Sequence, residues 1–150
     1  MRDHMPLLHD AATRRAIDRR LHALRSDTRP RWGRMSVDQM LWHVNQAMDV
    51  SIGSLALPPG GPPLPKGVLK FMVLRLPWVK GAPTNPAFVA TARHDFDAER
   101  ARCLRLIDIL TGRALDDAWV THPVFGPMTG AEVSTLHAKH LDHHLTQFGV

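Results

Sequence analysis

The alternation of apolar and polar positions divides the chain into four stretches of helical period and two irregular connections. Ile17, Leu21 and Leu24 recur at helical spacing beneath paired arginines, which predicts an amphipathic first helix from about Pro6 to Ser26. Pro30 and Gly33 then punctuate a loop. Ser36 and Gln39 stand at capping-box spacing and open a second helix, with Val37, Met40, Leu41, Val44, Ala47 and Met48 as its core-facing band. That helix fades near Ser54. A third runs from about Asp95 to Leu110, where Asp95 is the simplest cap, Phe96, Cys103, Leu104, Ile107 and Leu110 form the apolar stripe, and Gly112 supplies the stop. The fourth, Thr129 to Phe148, opens on Thr129 and Glu132, again at capping-box spacing.

The connections carry as much information as the helices. The run Pro58 to Pro63 contains only proline and glycine, which forbids regular helix and marks an exposed connection. Val68, Leu69, Phe71, Met72, Val73, Leu74 and Leu76 follow, broken by Lys70 and Arg75 and stopped by Pro77. This run is too short to span a bilayer, which takes ~20 apolar residues; a short helix lying on the bundle, or over a site mouth as a lid, fits better than a membrane anchor. The same apolar residues are compatible with a homodimer contact. A connection as long as Ser54 to Ala90 predicts a crossover that makes the second and third long helices run parallel. The second connection, Ala114 to Met128, holds Trp119, His122 and Phe125, and its prolines make a rigid turn that can drop the Phe125 ring into the core. The fold class these patterns predict is all-α, a single bundle domain over residues 1–150 with a long Pro/Gly-rich crossover.

Chemistry concentrates in the last helix, where His137, His140, His143 and His144 place four of the ten histidines within eight residues. At about 100° per residue, Val133, His137, His140, His144 and Gln147 share one stripe, and His140 and His144 stand one turn apart. A histidine pair at that spacing can grip one ion, because the helix has already ordered both side chains. A third donor is His43, at the edge of the second helix's apolar band and able to face the pair across a bundle interior. The alternative for each histidine is a hydrogen-bonded core residue or part of a polar face. His137 and Gln147 are candidates for a substrate-pocket or outer-shell role, as is His122, for which a structural role has the stronger claim because no spacing ties it to the others. His143 turns away and reads as solvated.

These residues also carry a resemblance. The tail H-x-x-H-H-x-x-Q, together with a single histidine in an earlier helix after a W-G-x-M-S entry, resembles the DinB/YfiT-like superfamily of metalloenzymes. Trp32, Gly33, Met35, Ser36, Gln39, Met40 and His43 conform to one of its branches without a settled activity, as do His122, Pro123, Phe125 and Gly126. The similarity runs from about Arg31 to Phe148, apart from the Pro-rich middle. It implies a four-helix bundle in which His43, His140 and His144 hold a divalent metal. Members with known activity are mostly thiol-dependent transferases or isomerases that use bacillithiol, mycothiol or glutathione.

Three neutral imidazoles would leave an ion its full charge and, in a tetrahedral site, one open position, where a water or thiol could be activated. A donor set of histidine alone points to zinc or nickel, and affinity should fall below pH ~6.5 as protons compete. A metal-dependent enzyme acting on a small molecule with a low-molecular-weight thiol is thus the leading reading. The alternatives are a metal-dependent hydrolase and a non-catalytic bundle with a structural or vestigial metal site.

Composition and charge adjust this picture little. Hydrophobic content of 44% and charged content of 22% are ordinary for a globular chain. The net charge of +5 draws attention to the arginines at 2, 14, 15, 19, 20, 25, 29, 31 and 34, but they lack interleaved aromatics and overlie an apolar stripe. A solvated outer face is favoured over nucleic-acid binding. The opening MRDHMPLLHD has no apolar run after its basic residue, which argues against a signal peptide. Cys103 is the sole cysteine, so no internal disulfide can form, and a cytoplasmic setting is the expectation; on the apolar stripe its thiol reads as packing and not as a nucleophile.

Overall fold

A computed structural model describes residues 5–150. Among these described residues five α-helices follow in order: α1 (Ala11–Ala23), α2 (Val37–Ile52), α3 (Lys66–Arg75), α4 (Phe96–Gly112) and α5 (Gly130–Gln147), with a single 3-10 turn at Pro86–Phe88. Among the described residues there is no β-strand, only an isolated bridge between His122 and Gly126. The architecture is all-α, as the periodicity predicts.

The cross-links between helices fix their directions. Asp38, Asn45 and Asp49 of α2 meet His94, Glu99 and Arg102 in that order, so α2 and α4 run parallel. His43 and Ser51 meet His140 and His137, so α2 and α5 run antiparallel. Arg20 reaches Asp142 and Thr146, whereas His9, just ahead of α1, reaches Ser134, so α1 runs with α5. Four long helices thus pack up, down, down and up, and the two middle ones can lie parallel only because the chain between them returns to the starting end. The expected crossover is present. It contains α3, which packs on α5 through a clamp at each end: Lys70 reaches Glu132 and the Pro127 carbonyl, and Lys139 donates to the carbonyls of Leu74 and Leu76 at 3.0 and 2.8 Å.

Most of the predicted stripe positions are buried in the core, among them Ile17 and Leu21, Val37, Met40, Leu41, Val44 and Met48, Cys103, Ile107 and Leu110, and Val133; Ala47, Phe96 and Leu104 are only partly buried, and Leu106, Leu141 and Leu145 join the core from outside those stripes. Cys103 is fully enclosed, and burial pushes its thiol up to about 12, which suits packing and removes it as a nucleophile at neutral pH. Phe125 packs against this core from the second connection. The α5 capping box forms in both directions, Glu132 N–H to Thr129 Oγ1 at 3.2 Å and Thr129 N–H to Glu132 Oε2 at 2.9 Å.

The first helix is shorter than its periodicity suggests. The residues before Ala11 leave the helix to reach α5: Leu8 is buried, the His9 N–H donates to Ser134 Oγ, and the His9 ring joins Ser134 to the Arg113 carbonyl. At the other end Leu24 is extended and Thr28 Oγ1 takes the Arg25 N–H, so a turn replaces the last predicted residues. Of the amino-terminal arginines, Arg2 lies outside the described residues. Arg14 and Arg20 reach Thr111, Asp142 and the Val150 carbonyl, whereas Arg15, Arg19, Arg29, Arg31 and Arg34 are exposed.

The entry to α5 is sterically exacting. A Cβ on Gly130 would stand 2.1 Å from the Leu115 carbonyl oxygen and 2.6 Å from its Cα, and backbone cannot step aside as a side chain can. Gly130→Ala should therefore lower stability by ~3 kcal/mol or more, read as a fall in the urea midpoint. Gly67→Ala in α3, with open space around the added methyl, should leave the midpoint unchanged or slightly raised.

Candidate metal centre

Antiparallel packing of α2 against α5 carries His43 to the pair on α5. The nitrogens that His43, His140 and His144 can offer an ion all lie within 4.8 Å of one another, and all three residues are buried. His43 Nε2 and His140 Nε2 are 2.9 Å apart. Nitrogens on a tetrahedral zinc stand about 3.3 Å apart, given Zn–N bonds near 2.0–2.1 Å, so small side-chain adjustments would seat an ion.

Two of the rings are oriented by neighbours. A backbone carbonyl can only accept, so the 2.8 Å contact to Phe88 fixes the proton of His43 on Nδ1 and leaves Nε2 as a bare lone pair. Gln147 does the same for His144. Its Nε2 donates to the Trp32 carbonyl at 2.9 Å, which turns Oε1 toward His144 Nδ1 at 2.7 Å. The imidazole must then donate from Nδ1, again freeing Nε2. Gly33 permits this approach: its φ of 81° is left-handed, and a Cβ there would stand 2.8 Å from Gln147 Nε2.

Burial also holds the rings neutral. Desolvation lowers His43; it lowers His144 to about 3, with His43 adding to the effect and the Gln147 contact opposing it; and it takes His140 well down, with the neighbouring histidines contributing. Neutral imidazole is the form a metal requires, so proton competition should begin lower than the pH ~6.5 suggested by unperturbed histidine. Around this cluster the crossover supplies Phe88, edge-on to His43, and Trp78, whose ring centroid lies 5.4 Å from His140 and 5.6 Å from His143. Trp78 is itself held by its indole N–H to the Val73 carbonyl.

The remaining candidates fall in different places. His137 is buried one turn before His140, with Nε2 2.7 Å from Ser51 Oγ, so its accessible partner is a core hydroxyl. His122 lies in the second connection, where Nδ1 accepts from the N–H groups of Val124 and Phe125, which is the structural role its isolation suggests. His143, read as solvated, is half-buried between the rings of Trp32 and Trp78. Neither the Phe88 carbonyl nor Trp78 was indicated by any sequence pattern. A carbonyl belongs to every residue, and Trp78 reaches the histidines only through the path of the crossover.

A helical bundle with three buried histidines converging from two helices is a candidate metalloprotein. The chain belongs to the DinB superfamily, whose family model matches residues 10–148. No curated protein and no solved structure matches it.

Two consequences can be measured. Zinc bound by the purified chain should disappear in a His140→Ala, His144→Ala double variant, and Gln147→Leu should weaken zinc roughly 10- to 100-fold in a chelator competition by releasing the His144 ring. Separately, burial holds His137 at about 3 and His122 at about 4, with the neighbouring His122 ring adding to the first and Lys66 to the second. Both folded values lie below that of an unfolded histidine, so the stability they contribute is complete above pH ~6.5 and is lost as pH falls toward them, by ~1.4 kcal/mol per pH unit per histidine. The urea midpoint of metal-free protein should drop between pH 7 and 5, less steeply in His137→Gln.

Proposed function

We propose that this DinB-superfamily chain is a metal-dependent enzyme that couples a low-molecular-weight thiol to a small electrophilic molecule, with His43, His140 and His144 holding zinc or nickel. The observation that carries this reading is the convergence of three buried neutral imidazoles whose ligand nitrogens all lie within 4.8 Å of one another, two of the rings being oriented by Phe88 and Gln147. When bound, the ion would act as a Lewis acid that lets a thiol, or a water in a hydrolytic variant of the reaction, lose its proton near neutral pH.

The chain's own residues supply the rest. His43, His140 and His144 bring no carboxylate, so a divalent ion they held would keep its positive charge and would favour an anionic sulfur. Phe88 and Trp78 wall the cluster with apolar surface, and excluding water strengthens the attraction between that sulfur and the centre. The Phe88 and Gln147 acceptors hold the rings of His43 and His144, so that only small adjustments would accompany binding. In the transfer itself the thiol sulfur forms the new bond to the acceptor's electrophilic carbon as the bond from that carbon to the leaving group breaks with its electron pair, and the proton lost by the thiol ends on the displaced group.

Cobalt in place of the native ion offers a direct test. Glutathione or an analogue of bacillithiol or mycothiol, added to the cobalt-loaded chain, should produce a sulfur-to-cobalt charge-transfer band that is absent in the His140→Ala, His144→Ala variant. A spectrum unmoved by every thiol, with cobalt still bound, would remove the thiol and leave the hydrolase and structural-site alternatives.

A further inference from the structure

The crossover presents a surface that the metal centre does not use. At about 100° per residue, Val68, Phe71, Met72 and Arg75 of α3 share an arc of roughly 100° facing away from α5, while Leu69 and Leu74 are buried beneath. Phe71 is 59% exposed, and Leu64, Leu76 and Val79, before and after α3, are also exposed, Val79 at 67%. Six of the nine large exposed apolar side chains among the described residues thus fall between Leu64 and Val79. Scattered single exposures need no explanation, but a contiguous ridge of this kind does.

Charge identifies what would cover it. No aspartate or glutamate occurs between Asp49 and Asp95, a stretch that carries Lys66, Lys70, Arg75, Lys80 and Arg93. Outside it the basic and acidic residues balance, fourteen against fourteen, so the stretch accounts for the whole net charge of +5. Lys70 is engaged by Glu132 and Lys80 lies 4.5 Å over the Trp32 ring, but Lys66 and Arg75 are exposed beside the apolar ridge. A second copy of the chain would bring one cationic, acid-free segment against another, which charge repulsion opposes. An anionic lipid surface satisfies both features: acyl chains take a convex apolar ridge without a matching groove, and headgroup charge meets the cations.

We propose that α3 and its flanks form a peripheral docking surface for anionic lipid bilayers. Phe71, Met72 and Val79 enter the headgroup boundary, Lys66 and Arg75 face the phosphates, and α3 stays clamped to α5 by Lys70 and Lys139. Such a surface binds reversibly, since no helix of the described residues is long and apolar enough to cross a membrane.

Sedimentation of the full chain with phosphatidylcholine vesicles, with and without phosphatidylglycerol, tests this, alongside light scattering of the protein alone. The chain should pellet with the anionic vesicles only and be released by high salt. Phe71→Ser, Val79→Ser should cut binding about tenfold or more, and Lys66→Gln, Arg75→Gln roughly fivefold per cation removed. All four positions are exposed, and unchanged helical content would show that the variants fold. Failure to pellet with anionic vesicles overturns the proposal. So does a dimer that the Phe71→Ser, Val79→Ser variant abolishes, since a second copy would then occupy the ridge.

Discussion

Everything at the candidate centre depends on one polar seam buried between α2 and α5. His43 meets His140 near one end and Ser51 meets His137 toward the other, both inside the bundle where an unpaired polar group costs ~1–3 kcal/mol. Apolar stripes alone would tolerate several rotations of α5 about its axis, because Leu, Val and Ala fit many holes. The histidines do not. Rotation by one residue would leave His137 without Ser51 and His43 without a partner nitrogen, so the same contacts that endanger stability also select the arrangement. Metal binding would convert this cost into a gain, since an ion would replace the proton that His43 and His140 now share as partners and take up the ring lone pairs directly.

The crossover is the second support, and its work is done by backbone as much as by side chains. A chain that must return along the bundle to start α4 beside α2 passes over the amino-terminal half of α2, which carries His43, and there Phe88 offers its carbonyl to the ring. On the way it lays α3 on α5 and turns Trp78 toward His140. Lys139, on the same helix as the histidine pair, caps the carbonyls at the end of α3 and so ties the covering segment to the helix that carries His140 and His144. The connection that looks least structured in composition is thus the one that finishes the site.

This explains which parts were legible in the sequence. Helix periods, both capping-box patterns and the pairing of His140 with His144 are local, set by residues three or four apart, and local spacing is what a sequence displays. Placing His43 needed only its phase on α2 and the assumption of a neighbouring helix. Gln147 could be named from its stripe because it lies one turn beyond His144 on the same face. His143 was misread as solvated because the rings that half-bury it, Trp32 and Trp78, come from two distant loops whose paths no periodicity encodes. The start of α1 was misjudged for the same reason: Leu8 and His9 continue the apolar and polar pattern but are drawn off to Ser134 by contacts more than a hundred residues away in sequence.

The register of α2 also needs explaining, because His43 is useful only if α2 is rotated to face α5, and that rotation is set on its opposite side. There Asp38 takes Arg93 and the His94 N–H, Asn45 takes Glu99, and Asp49 takes Arg102. Burial by itself would raise the Asp38 carboxyl, but Arg93 and the His94 N–H outweigh it and hold the group well below the ordinary range, so it stays charged in the first turn of α2, where the helix dipole favours an anion. Ion pairs of this sort contribute little net stability, since desolvation consumes most of the attraction. Their effect is discriminatory. A slip of α2 by one turn against α4 would strand Asp38 or Asp49 beside Leu or Ile, a far larger penalty than any loss of apolar contact. With α2 held from the α4 side, the remaining face has one orientation toward α5, and His43 lies on it.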